Sequence, residues 1–280
     1  MTRNVTSTQQ PTILMCPPDY FTVSYAINPW MSVDRPCDVG LAKQQWLTLR
    51  DTLREKAGAD ILEMPAVPDL PDLVFTANAA FVYQRLAVIA RYKYPERQGE
   101  EPYAEAWFRE NGYAVHTLPR HTPFEGAGDA LIWKDETHEP RVFAGYRTRT
   151  DIAAHSLLSS QVGLPVLSLE LVDPRFYHVD VCLCPLETGD LIYYPGAFDE
   201  YGRTVIEANV PAHRLIPVSA EDAAMFACNA VSVGDAVVLN QAATGLIELL
   251  KARGLRVFPV DLSEFIKAGG SAKCLTLRVA

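Results

Sequence analysis

The strongest constraint on this chain is a recurring pattern of two short apolar runs followed by an amphipathic stretch. Strand-like runs fall at 12–18, 73–83, 86–92, 130–134, 141–146, 166–172, 179–186, 191–198, 230–240, 255–260 and 274–279. Helix-like stretches fall at 38–57, 101–112, 150–162, 200–208, 220–226 and 241–253, the last stopped by Gly254. Segments 73–92, 130–146, 179–198 and 230–240 each read as strand, turn, strand. A unit of this size cannot bury its apolar face alone, so repetition about every fifty residues implies stacked units sharing one core. The class is α/β. No linker rich in Gly, Pro or Ser cuts the sequence, so residues 1–280 are expected to form a single domain, with 1–11 as a flexible tail.

Composition excludes several functions. The net charge of −9 and the lack of a Lys/Arg run argue against a nucleic-acid partner. No apolar run reaches the roughly eighteen residues of a membrane span, and the polar start MTRNVTSTQQPT does not resemble a secretory signal. Six cysteines in a chain of 280 residues suggest reduced thiols and a cytoplasmic location rather than a disulfide scaffold. A homodimer is the default assembly.

The residues that could do chemistry lie in a few stretches. His178 and Asp180 interrupt an apolar run, DPRFYHVDVCLCPL. On a strand His178, Asp180, Cys182 and Cys184 would share a face. That could be a metal site, but four ligands in a row on a flat strand is not zinc spacing, and strand cysteines are usually buried small hydrophobes. A histidine beside a carboxylate also suits general acid/base work. In HTPFEGAGDALIW, Glu125 and Asp129 flank small residues, as in a turn or as in a carboxylate site open to a cation. Asn78 sits inside an apolar run in PDLPDLVFTANAAFVY, where a buried amide must find partners. Arg97 and Arg149 lie in polar surroundings and read as surface charges or as forks for a substrate carboxylate. The stretch 92–102 is expected to be a surface loop or lid. Near the end, KAGGSAKCLTLRVA places two glycines and a serine ahead of Cys274. That cysteine is either a packed residue on a final strand or a nucleophile.

Taken together, YAINPWM (25–31), PDLVFTAN (71–78), ERQGEE (96–101), FEGAGD (124–129), RTRTD (147–151), YHVD (177–180) and GGSAKCLT (269–276) resemble the guanidine-modifying (amidinotransferase) superfamily. The resemblance spans nearly the whole chain. It departs from the family's pattern in a shorter glycine run before the cysteine. It implies a five-fold pseudosymmetric α/β propeller of ββαβ units acting on a small molecule, with no metal and no organic cofactor.

By the same resemblance Cys274 is the nucleophile, His178 the general acid/base and Glu125 the guanidinium-binding carboxylate, with Asp180 close by. Asp72 would take the substrate α-amino group and Arg97 and Arg149 its α-carboxylate. Asn28, Phe75 and Ala268 would line the pocket. The residue matching Asn78 is typically aspartate in deiminases and dimethylarginine hydrolases, whereas TAN resembles the arginine and succinylarginine dihydrolases. An ionised aspartate only accepts hydrogen bonds, while asparagine also donates. Asn78 could therefore hold the neutral ureido oxygen of a half-processed substrate and permit a second attack. The expectation is hydrolysis of L-arginine to L-ornithine. Alternatives are a dimethylarginine dimethylaminohydrolase, an amidinotransferase, or a catalytically silent binding module.

Overall fold

The computed structural model describes residues 10–280. Its strands form five three-stranded sheets of one topology. In each, the first two strands pair antiparallel and the second pairs parallel with the third across a helix. One unit runs Ala80–Tyr83, Leu86–Ile89, helix Glu101–Glu110 and Ala114–Thr117. The next runs Ala130–Trp133, Arg141–Tyr146, helix Ala153–Val162 and Val166–Glu170. A third has Leu183–Pro185, Leu191–Tyr193, helix Glu200–Asn209 and Leu215–Pro217. A fourth has Val231–Val233, Ala236–Asn240, helix Thr244–Ala252 and Arg256–Val260. The fifth joins both ends of the chain. Leu277–Arg278 pairs antiparallel with Thr12–Met15, which pairs parallel with Asp60–Glu63 after helix Val39–Asp51. The result is the five-fold pseudosymmetric propeller of ββαβ units, closed by pairing its first strand with its last.

The parallel pairings require a crossover, and the helices supply it. Strand Ala236–Asn240 is buried along its whole length, whereas Asp60–Glu63 and Ala114–Thr117 are mostly exposed. These outer strands and Leu215–Pro217 are too short to be visible as runs in the sequence. Gly254 adopts a left-handed φ of 83° after helix Thr244–Ala252, as its stop signal requires.

Three expectations need correction. The run 179–186 is not one strand: Val179–Val181 is a tight 3-10 turn, and the strand begins at Leu183. His178, Asp180, Cys182 and Cys184 therefore do not share a strand face. The run 73–83 likewise opens with 3-10 turns at Pro71–Val74 and Thr76–Asn78 before its strand starts at Ala80. The stretch 92–102 is not a plain loop: it forms a helical turn, Pro95–Gln98, and leaves Lys93, Glu96 and Gln98 exposed but buries Arg97, Glu100 and Glu101. Its charges go inside because they pair with one another and with Arg91. Of the expected flexible tail, residues 1–9 lie outside the described residues, and the Pro11 carbonyl accepts from the Asp60 amide at 2.9 Å.

Candidate active site

The turn ahead of each unit's first strand carries polar residues inward, and these turns meet where the five units converge. They supply Asn78, then Glu125 and Asp129, then His178 and Asp180, then Asn229, and finally Cys274. All seven are buried. A turn rather than a strand frees backbone donors here, as the Val179 amide shows by binding Asp129. The hydrogen bond from the Ala77 amide to the Cys274 carbonyl, 3.1 Å, ties the first of these turns to the last.

His178 Nε2 lies 2.7 Å from Glu125 Oε2, which also accepts from Arg149 Nη1 at 2.8 Å. The second Glu125 oxygen accepts from the Lys93 amide. Burial alone would raise the Glu125 carboxyl, but the Arg149 guanidinium and His178 outweigh it and hold Glu125 well below the usual carboxylate range. Arg149 Nη2 donates to the Ile27 carbonyl, and the guanidinium stacks between the rings of Tyr94 and Tyr177. Asp129 accepts from the Val179 amide and the Thr150 hydroxyl, so it fixes the turn that carries His178.

Cys274 Sγ lies 3.5 Å from Asp180 Oδ2 and 3.1 Å from Asn229 Nδ2. Burial, followed by the Asp180 charge, pushes the thiol well above its ordinary value. Burial also lifts Asp180 to about 7, against the opposing pull of Lys273. The glycines before Cys274 have distinct reasons. Gly269 takes a left-handed φ of 85°, and its carbonyl accepts from the Tyr177 hydroxyl at 2.6 Å. A side chain at Gly270 would meet the Phe75 ring at 2.3 Å. Asn28 latches this loop through its amide to the Ala268 carbonyl, 3.0 Å. The expected lining residues Asn28, Phe75 and Ala268 thus lie around one loop.

Arg97 is buried and its donors are engaged by Glu100, Asn78, the Asp72 carbonyl and the Tyr92 hydroxyl. A substrate carboxylate at Arg97 would have to displace one of these, whereas Arg149 keeps a buried, unpartnered Nε. Unpartnered buried atoms also include Asp72 Oδ1, Asp180 Oδ1 and His178 Nδ1. Buried polar groups are nearly always paired, so these atoms are the ones left free to meet a polar ligand.

Asn229 was not singled out in the sequence. CNAVSV reads as the start of an apolar strand, and the only available signal was an asparagine placed, like Asn78, just before one.

A five-unit propeller with a cysteine, a histidine and carboxylates converging on its axis has the architecture of the guanidine-modifying superfamily. A family model described as eukaryotic N,N dimethylarginine dimethylhydrolase matches residues 40–280. The bifunctional arginine dihydrolase/ornithine cyclodeaminase ArgZ of Synechocystis is 47% identical over 95% of this chain. This chain spans only 37% of that relative's length, and likewise 37% of its Nostoc counterpart AgrE. The N(G),N(G)-dimethylarginine dimethylaminohydrolase of Mycobacterium tuberculosis is 45% identical over 95% of this chain and 84% of its own. The crystal structure of the cyanobacterial ArgZ N-terminal domain bound to product superposes with a TM-score of 0.92 at 45% identity, covering 97% of this chain and 98% of that one. The chain belongs to the dimethylarginine dimethylaminohydrolase family of this superfamily.

Proposed function

We propose that this chain is a cysteine-dependent hydrolase that converts L-arginine and two waters into L-ornithine, two ammonia and carbon dioxide. Two similar relatives carry names with different activities at nearly equal identity, 47% and 45%, so overall likeness does not choose between them. The observation that carries the choice is the orientation of Asn78. Arg97 Nη1 lies 2.8 Å from the Asn78 Oδ1. A guanidinium only donates, so the amide oxygen must face Arg97 and the NH₂ must face the other way. That NH₂ lies 3.4 Å from the Glu125 carbonyl and beside Gly128, where a Cβ would come within 2.1 Å of it. The enzyme thus presents a donor, not a carboxylate, toward Glu125 and His178.

In this reading Asp72 binds the α-amino group, and Arg97 and Arg149 the α-carboxylate. Glu125 and Asp180 hold the guanidinium, and Asn28, Phe75 and Ala268 border the pocket. The thiolate of Cys274 attacks the guanidinium carbon, and His178 gives a proton to the departing ammonia. Water, deprotonated by His178, then displaces the sulfur and leaves a ureido group. Its neutral oxygen accepts from Asn78, where an aspartate would repel it. A second attack by Cys274 expels the second ammonia and leaves a thiocarbamate. Water releases this as a carbamate, which breaks down to carbon dioxide and ornithine.

The alternative is hydrolysis of dimethylarginine to citrulline and dimethylamine, favoured by the name of the mycobacterial relative. Incubation with each substrate separates the two. Ornithine with two ammonia per arginine supports the proposal. Citrulline as the end product, with dimethylamine from the methylated substrate, overturns it.

A further inference from the structure

Asn229 occupies the turn before the first strand of the fourth unit and is fully buried. Its side chain is saturated. Oδ1 accepts from the Cys274 amide at 3.1 Å, and Nδ2 donates to both the Cys274 sulfur and the Asp180 carbonyl at 3.1 Å. Its own carbonyl accepts from the Lys273 amide. The Cys274 N–H needs an acceptor, so the amide can face only one way, with its NH₂ toward the sulfur. The other groups acting on that sulfur are the Asp180 carboxylate, a hydrogen bond from the Ser271 backbone and the Lys273 ammonium. The Asp180 charge disfavours negative charge on sulfur, whereas the Ser271 backbone and Lys273 favour it. Asn229 is the neutral side-chain donor that accommodates it.

We propose that Asn229 is a catalytic residue that donates a hydrogen bond to the Cys274 thiolate and aims it along the axis of the propeller. This rests on Cys274 being the nucleophile. Hydrogen bonds to a charged form favour that form. Losing this donor lowers the thiolate fraction at every pH below the thiol's midpoint. A purely structural Asn229 would instead serve only as acceptor for the Cys274 amide. Asn229→Asp keeps an acceptor oxygen for the Cys274 amide but removes the donor and adds a charge beside the sulfur, so it is read together with the uncharged Asn229→Ala.

The test is the rate of iodoacetamide labelling of Cys274, read peptide by peptide by mass spectrometry across pH 7–10. Asn229→Asp and Asn229→Ala are expected to label about tenfold more slowly than wild type at a given pH, equivalent to an upward shift of about one unit. Wild-type labelling rates in Asn229→Asp would overturn the inference and leave Asn229 a structural residue. If the Asp variant does not fold, Asn229→Ala, which has no side-chain donor, is read in the same way. The catalytic reading is checked separately. Full arginine turnover in Cys274→Ala would defeat the proposed function, whereas the labelling rates judge Asn229.

Discussion

His178 and Glu125 form a buried pair, with Nε2 and Oε2 2.7 Å apart, and Arg149 donates to the same oxygen. The histidine is thereby held by its Nε2, and its Nδ1 is left buried without a partner. Glu125→Gln keeps the shape but removes the charge that balances Arg149 and a substrate guanidinium. We expect kcat/KM for arginine to fall about a hundredfold, since Glu125 both receives the guanidinium and holds His178, whose acid/base work contributes about that much. Steady-state kinetics of a variant with an unchanged circular dichroism spectrum checks this, and activity within a few-fold of wild type would contradict it.

Cys274→Ser should abolish turnover while leaving arginine binding measurable by calorimetry. The hydroxyl is a far weaker nucleophile, but the carboxylates that receive the substrate cation are untouched. Detectable ornithine from this variant would remove Cys274 from the chemistry.

Asp180 gives the pH dependence a direction. Burial raises its carboxyl to about 7, so it protonates as the pH falls through neutrality. A protonated Asp180 cannot pair with a guanidinium. kcat/KM should therefore decline on the acid side of about pH 7, and Asp180→Asn should lower the plateau and remove that limb. For stability the sign is opposite. The folded-state value lies above the ordinary 3.8, so the folded chain binds the proton more tightly. This one group then favours folding as the pH drops from 7 toward 4. Opposite trends for activity and stability in Asp180→Asn against wild type test the assignment.

Asn78→Asp should change the product. The new carboxylate would pair with Arg97 but present an oxygen where the amide donated, so the ureido stage would lose its anchor. Citrulline should accumulate in place of ornithine. Unchanged ornithine output from Asn78→Asp would sink the argument for the second round.

Arg97 and Glu100 form a bidentate pair, 2.8 Å at both contacts, with both side chains buried. Arg97→Ala leaves Glu100 charged and unpaired inside the protein and frees the Asn78 amide to turn. The expected loss is about 3–5 kcal/mol, the usual consequence of breaking a buried pair from one side. Denaturant unfolding measures it, and a loss under about 1 kcal/mol, as for an exposed pair, would contradict it.

The repeat of apolar runs and amphipathic stretches was enough to specify paired strands followed by helices, because both periodicities are local properties of the chain. Asn78 and His178 were legible as polar residues interrupting apolar runs, whereas Glu125 and Cys274 stood out by the small residues beside them and took their roles from the family resemblance. The outer strand Ala114–Thr117 was not legible, because an exposed edge needs no apolar signature. Nor were the turns that carry Asn78 and Asp180, which read as strand when composition is the only guide. The burial of Arg97 in the stretch 92–102 was equally invisible, since its partners Asn78 and Asp72 lie well upstream in the sequence. Tertiary structure alone decided which way the Asn78 amide faces, and it alone brought Asn229 to the sulfur of Cys274. A hydrogen bond between residues 45 positions apart has no trace in local pattern, because only the packing of neighbouring units brings the fourth and fifth turns together.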